Sequence, residues 1–147
     1  MRLFWQLAEQ SEGLKHVVFV LCNSHSYQFI IKDFCEFSFF RSVLAAAQAI
    51  ARGFHKAKKQ YAILREIQEE VYQTQKALIL SVITRWGTQY ALCISLINNR
   101  EALQRWALRV DIEISGKEQP QKKSILSDDF WAKLNKLCIA VKPIHEL

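Results

Sequence analysis

Two side chains with reactive chemistry, Cys22 and His25, stand three residues apart just after an apolar run. A Cys-x-x-His pair can supply half of a zinc site, but no second Cys/His pair occurs at close spacing in this sequence. A cysteine nucleophile needs a base and a group that orients the base, and the sequence offers no third member beside this pair. We therefore expect neither a zinc site nor a nucleophile here.

Carboxylates near this pair are few. Phosphoryl transfer by two metal ions needs several carboxylates that face one point, whereas only Asp33 and Glu36 lie nearby. Asp33 comes well after the apolar run, where pairing with Lys32 or an arginine accounts for it. The residues alone therefore predict no metal-binding nuclease site.

Arg85 and Trp86 form the second candidate site. They lie in the polar interruption Thr84–Gln89, in which Gly87 is a helix breaker. An aromatic side chain beside a cation can stack on an unpaired or flipped base. A tryptophan that anchors a corner between helices explains the same pattern, so both interpretations stay open.

A basic cluster forms the third candidate site: Arg52, His55, Lys56, Lys58 and Lys59. A helix predicted over Phe39–Lys59 places these residues at its C-terminal end, where cations complement the helix dipole. Capping of that helix is therefore one interpretation of the cluster. Contact with phosphates is the other.

One strand and about seven helices must position these residues. Val17–Leu21 is apolar at every position, as in strands covered on both faces. A single strand cannot pair its own backbone groups, so we expect its neighbours to lie outside this chain. The helices are predicted over Arg2–Ser11, after Ser24, and over Phe39–Lys59, Tyr61–Gln75, Gln89–Asn98, Arg100–Val110 and Ser127 onward.

Several local features accompany these helices. Thr88 and Ser127 are predicted N-caps, and Pro143 is expected to kink or end the last helix. Residues 112–126 are predicted to be a flexible loop. Ala77–Ile83 fits either a helix tail or an extended stretch.

The composition is that of one globular domain of 147 residues, half of them hydrophobic. No apolar run approaches the roughly 20 residues of a membrane span. The net charge of +6 permits an anionic partner without requiring one. Four scattered cysteines favour reduced thiols in the cytosol or nucleus.

Five sequence blocks, taken in order, resemble the central region of hAT-superfamily transposases, the hobo–Activator class. The first is Cys22-Asn23-Ser24-His25, followed by Lys32-Asp33, and the second is Thr84-Arg85-Trp86-Gly87-Thr88-Gln89-Tyr90. The others are Glu101-Ala102-Leu103, Phe130-Trp131 with Leu134, and Lys142-Pro143-Ile144-His145-Glu146. No single block is specific, but their shared order covers nearly the whole chain.

The resemblance implies a ribonuclease H-like core interrupted by a large helical insertion. Residues 1–35 would be a remnant of the core, and residues 36–147 a segment of the insertion. The fold class is then mainly α, with one strand left from the α/β core. Cys22 and His25 would lie next to the catalytic centre without binding zinc. Trp86 would stack near a flipped base, with Arg85 beside the DNA backbone.

The family's three catalytic carboxylates map onto no residue of this sequence. The second belongs to an Asp-Asn-rich block shortly before a Met-Arg like Met1-Arg2, the first lies further upstream, and the third follows the insertion. We therefore expect a truncated or domesticated fragment that is not an enzyme. It would use no cofactor as it stands, although the full-length family uses Mg²⁺ or Mn²⁺.

The expected partner is DNA, bound weakly by two groups of side chains. They are Arg85 and Trp86 and the cluster members Arg52, Lys56, Lys58 and Lys59. Self-association through the unpaired strand is also expected, whereas a membrane or a small-molecule substrate is not. The resemblance implies a nuclear protein, and without it a cytoplasmic one. The alternative is a helical protein-interaction module without nucleic-acid function.

Overall fold

The computed structural model describes residue 33 and residues 37–82, 87–109 and 119–145. These residues form six helices and no strand. The predicted fold class, mainly α, is confirmed. The helices are α1 (Ser38–Lys56), α2 (Lys58–Tyr72), α3 (Thr88–Ile97), α4 (Arg100–Leu108), α5 (Gln119–Ile125) and α6 (Asp128–His145).

Several sequence predictions lie outside the described residues. They include the strand Val17–Leu21, the helix Arg2–Ser11 before it, the pair Cys22 and His25, and the pair Arg85 and Trp86. Of the helix predicted after Ser24, only Asp33 is described. The division of the chain at residues 35 and 36 is therefore a prediction still. Among the residues described, no helix is both long and apolar enough to cross a membrane.

Helix α1 is the centre of the core. Its apolar residues recur every three or four positions, which places them on one face, and Val43, Ala47, Ile50 and Phe54 on that face are buried. The helix packs against α2, α3, α5 and α6. Helix α2 also packs against α4, and α3 against α6. Every other helix in the described residues therefore packs against α1 or against a helix that contacts α1.

The first long helix ends earlier than predicted. Ala57 (φ −98°, ψ 81°) leaves the helical region and separates α1 from α2, whereas the sequence pattern continued the helix to Lys59. Neither glycine nor proline marks the break. The packing of α2 back onto α1 and α4 sets it instead. As a result Lys58 and Lys59 begin α2.

The segment 75–82, which follows α2, is not helical. Of the two structures predicted for Ala77–Ile83, the helix tail is therefore excluded for the described residues 77–82. The His55 Nε2 lies 2.7 Å from the Leu78 carbonyl, and the Gln48 Nε2 donates to the Ser81 Oγ at 2.6 Å. The three residues from Leu78 to Ser81 span about 10 Å when extended, and the seven helical residues from His55 back to Gln48 span the same length. The segment therefore runs antiparallel to α1.

Helix α3 begins one residue earlier than predicted, at Thr88. The N-cap is Gly87 (φ 77°), in the left-handed region that glycine occupies without a steric penalty. The Thr88 Oγ1 accepts from the Val82 N–H (3.0 Å) and donates to the Val82 carbonyl (2.9 Å). The prediction of Thr88 as the N-cap was therefore wrong, because its hydroxyl pairs across the preceding segment.

The last two helices confirm one prediction and correct another. The Ser127 Oγ accepts from the Phe130 N–H at 3.3 Å, the N-cap bond predicted for α6. Residues 119–125 of the predicted loop are helical, since the first turn tolerates Pro120 and Ile125 is buried. Pro143 lies inside the last turns of α6, which continues to His145.

Candidate nucleic-acid interface

The predicted site residues divide into two groups. Arg85 and Trp86, like Cys22 and His25, lie outside the described residues. Arg52, Lys56, Lys58 and Lys59 are described, and all four are exposed. We call these four residues the basic corner, because they surround the junction of α1 and α2 at Ala57.

The basic corner is held in place by buried aromatic packing. The Phe54 ring meets the Trp106 ring edge-on, with 4.7 Å between centroids. The Trp106 Nε1 donates to the Gln60 Oε1 at 3.1 Å, which ties α4 to the first turn of α2. The Tyr61 ring also packs against the Phe54 ring, with 6.4 Å between centroids. The backbone that carries the four cations is therefore fixed.

The charged residues of α2 are arranged unfavourably for the helix dipole, with cations at its N-terminal end and anions at its C-terminal end. Lys58 and Lys59 occupy the first turn, which holds no acidic residue, while Glu69 and Glu70 are in the last turn. Cations near a helix N-terminus are disfavoured by about 0.3–1 kcal/mol each at exposed positions. Capping therefore does not explain Lys58 and Lys59, although it explains Lys56 at the end of α1.

The three lysines of the basic corner have no carboxylate partner among the described residues. The ion pairs in that part of the chain join Arg100 to Asp128, Arg105 to Glu101, and Lys133 to Asp129. Helix α1 contains no acidic residue. The corner is thus an exposed, uncompensated positive surface, which is the electrostatic property that phosphate binding requires.

His55, next to the basic corner, holds the segment 75–82 against α1. Its Nε2 must carry the proton, since the atom it contacts at 2.7 Å is the Leu78 carbonyl oxygen. Its ring also packs against Tyr61, with 5.5 Å between centroids. His55 therefore positions the segment 75–82 on α1.

Gln48 connects the basic corner with the segment that leads to Arg85 and Trp86. Its Oε1 accepts from the Arg52 guanidinium at 3.1 Å, and its Nε2 donates to Ser81. The next residue, Val82, is hydrogen-bonded to Thr88. The described residues on both sides of 83–86 are thereby linked to α1. A lone glutamine on an alanine-rich helix gave no sequence signal for this role.

No metal ligand set assembles in the described part of the chain. No group of three His, Cys, Asp or Glu side chains there is arranged to hold a metal ion. The described residues therefore do not fit the Mg²⁺ or Mn²⁺ site that the resemblance implies for the full-length family.

The two described cysteines, Cys93 on α3 and Cys138 on α6, are buried and form no disulfide. Burial raises the pKa of the Cys138 thiol, against a smaller lowering by Lys142. The folded state therefore keeps this thiol protonated where the unfolded chain would ionise it. Its contribution to stability is present below the ordinary value of 9.0 and is lost as the pH rises through the higher folded-state pKa.

We expect Cys93 and Cys138 to resist thiol reagents in the native protein, because both are buried and a reagent cannot reach a buried thiol. The measurement is the labelling rate with a water-soluble disulfide reagent, in a Cys22→Ser/Cys35→Ser background. Labelling should be slow in buffer and fast in urea. Prompt labelling of the native protein would contradict this prediction.

The chain is distantly similar to one curated protein, zinc finger BED domain-containing protein 4 from Homo sapiens. The two are 24% identical over 127 residues, which is 86% of this chain and 10% of that protein. The chain thus spans about a tenth of its relative's length. No protein-family model and no solved structure matches the chain.

Proposed function

We propose that this chain derives from the central region of an hAT-like transposase and binds DNA in the nucleus without cutting or joining it. Two observations support the origin. The described part is helical, as expected for a segment of the helical insertion. The similar human protein is named for a zinc finger domain, and hAT-like transposases carry a zinc-finger DNA-binding domain elsewhere in their chains.

Catalysis is not part of the proposal. Two-metal phosphoryl transfer depends on carboxylates that hold the ions and stabilise the attacking and leaving oxygens. None of the three family carboxylates has a counterpart in this sequence. We therefore assign the chain a binding role that uses no Mg²⁺ or Mn²⁺.

The basic corner is the observation that carries the DNA-binding role. Lys58 and Lys59 stand where their own helix dipole disfavours them, and no carboxylate in the described residues neutralises them. A bound phosphate would reverse this penalty, because an anion is favoured both by the lysines and by the first turn of α2. Lys56 and Arg52 extend the same surface along α1.

Arg85 and Trp86 have the second role in the proposal. The resemblance gives Trp86 a stacking function on an unpaired base and places Arg85 by the DNA backbone. The hydrogen bonds of Ser81 to Gln48 and of Val82 to Thr88 support this assignment, since they tie the flanking residues to the helix that carries Arg52. Backbone contacts and base stacking would then belong to one surface.

Removing the two lysines of α2 should weaken duplex binding. Each phosphate contact contributes about 0.9 to the slope of log affinity against log salt. Between about 50 mM and 1 M salt, one contact therefore changes the affinity by roughly tenfold. We therefore expect a loss of about 10- to 100-fold for Lys58→Gln/Lys59→Gln, measured by fluorescence anisotropy on a labelled duplex.

The control for that experiment removes the same charge elsewhere. Lys136 and Lys142 are exposed on α6, and Lys136→Gln/Lys142→Gln should bind nearly as the wild type does. An equal loss in both double variants would mean that only net charge matters. An unchanged affinity in the α2 variant would remove the basic corner from the interface.

Trp86→Ala should weaken binding to DNA that carries an unpaired base and leave binding to a fully paired duplex nearly unchanged. Stacking of a base on an aromatic side chain contributes about 1–3 kcal/mol. The measurement compares a hairpin with a flipped-out base and a matched duplex, and Trp86→Phe should restore most of the difference. Equal losses on both DNAs would contradict the stacking role.

A further inference from the structure

An open groove of about 230 Å³ lies between α1, α5 and α6. Its walls combine three serine hydroxyls, two lysines, one carboxylate and a small apolar base. Three of these polar side chains are Ser42 on α1, Lys123 on α5 and Lys133 on α6, and the remaining lining residues are Val43, Ala46, Ser124, Ser127, Asp129 and Phe130.

The groove has a net positive charge. The Lys133 Nζ lies 2.6 Å from the Asp129 Oδ2, so these two side chains neutralise each other. Lys123 is exposed and has no carboxylate partner among the described residues. A phosphate group in the groove would therefore meet one uncompensated ammonium group and hydroxyls that can donate to its oxygens.

Helix α1 joins this groove to the basic corner. Ser42 lines the groove and Lys56 belongs to the corner, and 14 residues of helix between them span about 21 Å. That length corresponds to about six base-pair steps of a duplex at 3.4 Å each. The exposed residues between them include Ala45 and Ala49, whose small side chains leave room for a close approach.

We propose that this groove binds a backbone phosphate of the same DNA duplex that contacts the basic corner, with Lys123 as its main cationic contact. The inference rests on the proposed function. An anionic polymer that follows α1 meets no carboxylate on that helix. It would meet Asp129 only in the groove, where Lys133 neutralises it.

The first test uses inorganic phosphate and no DNA. Backbone amide signals are followed by nuclear magnetic resonance while phosphate replaces chloride at constant ionic strength. Saturable shifts at Ser42 and Ser124 are expected. Lys123→Gln should weaken the fitted affinity at least about threefold, Asp129→Asn should strengthen it, and Lys136→Gln on the same helix as Asp129 should leave it unchanged. Non-saturating shifts, or equal affinities in all four proteins, would overturn the phosphate site.

The second test separates this inference from the proposed function. On a duplex, Lys123→Gln should lower the salt slope by about 0.9, and Lys136→Gln should not. If Lys58→Gln/Lys59→Gln weakens duplex binding while Lys123→Gln matches its control, the groove proposal fails and the basic corner stands. If the groove binds phosphate while Lys58→Gln/Lys59→Gln binds the duplex as tightly as the wild type does, the basic corner is not the DNA-binding site and the proposed function fails. Thermal unfolding of each variant verifies that it is folded.

Discussion

Replacing Trp106 with alanine is expected to lower the free energy of unfolding by about 3–5 kcal/mol. Trp106 is 1% exposed and its ring meets the Phe54 ring edge-on. The substitution removes a large buried surface, leaves a cavity between α1, α2 and α4, and takes the donor from the Gln60 Oε1. A loss of this size is a large fraction of the 5–15 kcal/mol that stabilises a typical domain.

Leu108 on the same helix is the matched control for Trp106. Its side chain is 68% exposed, so Leu108→Ala should change the free energy of unfolding by less than about 0.5 kcal/mol. Urea unfolding followed by circular dichroism measures both variants. Similar values for the two would contradict the placement of Trp106 in the core.

Replacing Asn99 with leucine should be the second most damaging change, at about 2–4 kcal/mol. Asn99 and Gln68 are both fully buried. The Gln68 Nε2 donates to the Asn99 Oδ1 (2.6 Å) and to the Lys76 carbonyl (2.7 Å), and the Asn99 Nδ2 donates to the Ser95 carbonyl (2.8 Å). Leucine leaves the Ser95 carbonyl without this donor and the Gln68 amide with one partner fewer.

Two comparisons make this prediction specific. Asn98 precedes Asn99 and is exposed, so Asn98→Leu should have little effect on stability. Gln68→Met/Asn99→Leu should cost less than the sum of the two single changes, because removing both partners leaves fewer unpaired groups. Additive losses, or equal effects at positions 98 and 99, would show that the hydrogen-bonded pair does not stabilise the fold.

Much of the helical architecture follows from local sequence. The spacing of Val43, Ala47, Ile50 and Phe54 predicts the buried face of α1, and all four are buried. Ser127 before two aspartates predicts the start of α6, and its hydroxyl caps that helix. Trp106 and Trp131 lie at helical positions in the sequence, which favours packing in the interior, and both are buried. Periodicity and capping are local properties, which is why the sequence reveals them.

The features that define the candidate site are not local. The break at Ala57 carries no glycine or proline, so periodicity alone placed Lys58 and Lys59 in the wrong helix. The pairing of Gln68 on α2 with Asn99, in the turn between α3 and α4, joins residues 31 positions apart in the chain, and the local sequence identifies neither as the partner of the other. The groove beside Ser42 combines side chains from three helices. Each depends on tertiary packing.

The expected roles of Arg85 and Trp86 come from the resemblance to hAT transposases and not from the structure. The resemblance assigns these roles from the order of short sequence blocks. The basic corner is identified independently, because the structure places Lys58 and Lys59 in the first turn of α2, where the helix dipole disfavours cations. Gln48 connects the basic corner with the segment that precedes Arg85 and Trp86, since it accepts a hydrogen bond from Arg52 and donates one to Ser81.

The salt dependence of duplex binding measures the role of the basic corner, since the slope of log affinity against log salt counts the phosphate contacts. Lys58→Gln/Lys59→Gln is expected to lower the magnitude of this slope by about 1.8 relative to the wild type, at about 0.9 per contact. The wild type and Lys136→Gln/Lys142→Gln should give parallel lines. A slope for the α2 variant that equals that of the wild type would show that Lys58 and Lys59 do not contact DNA phosphates.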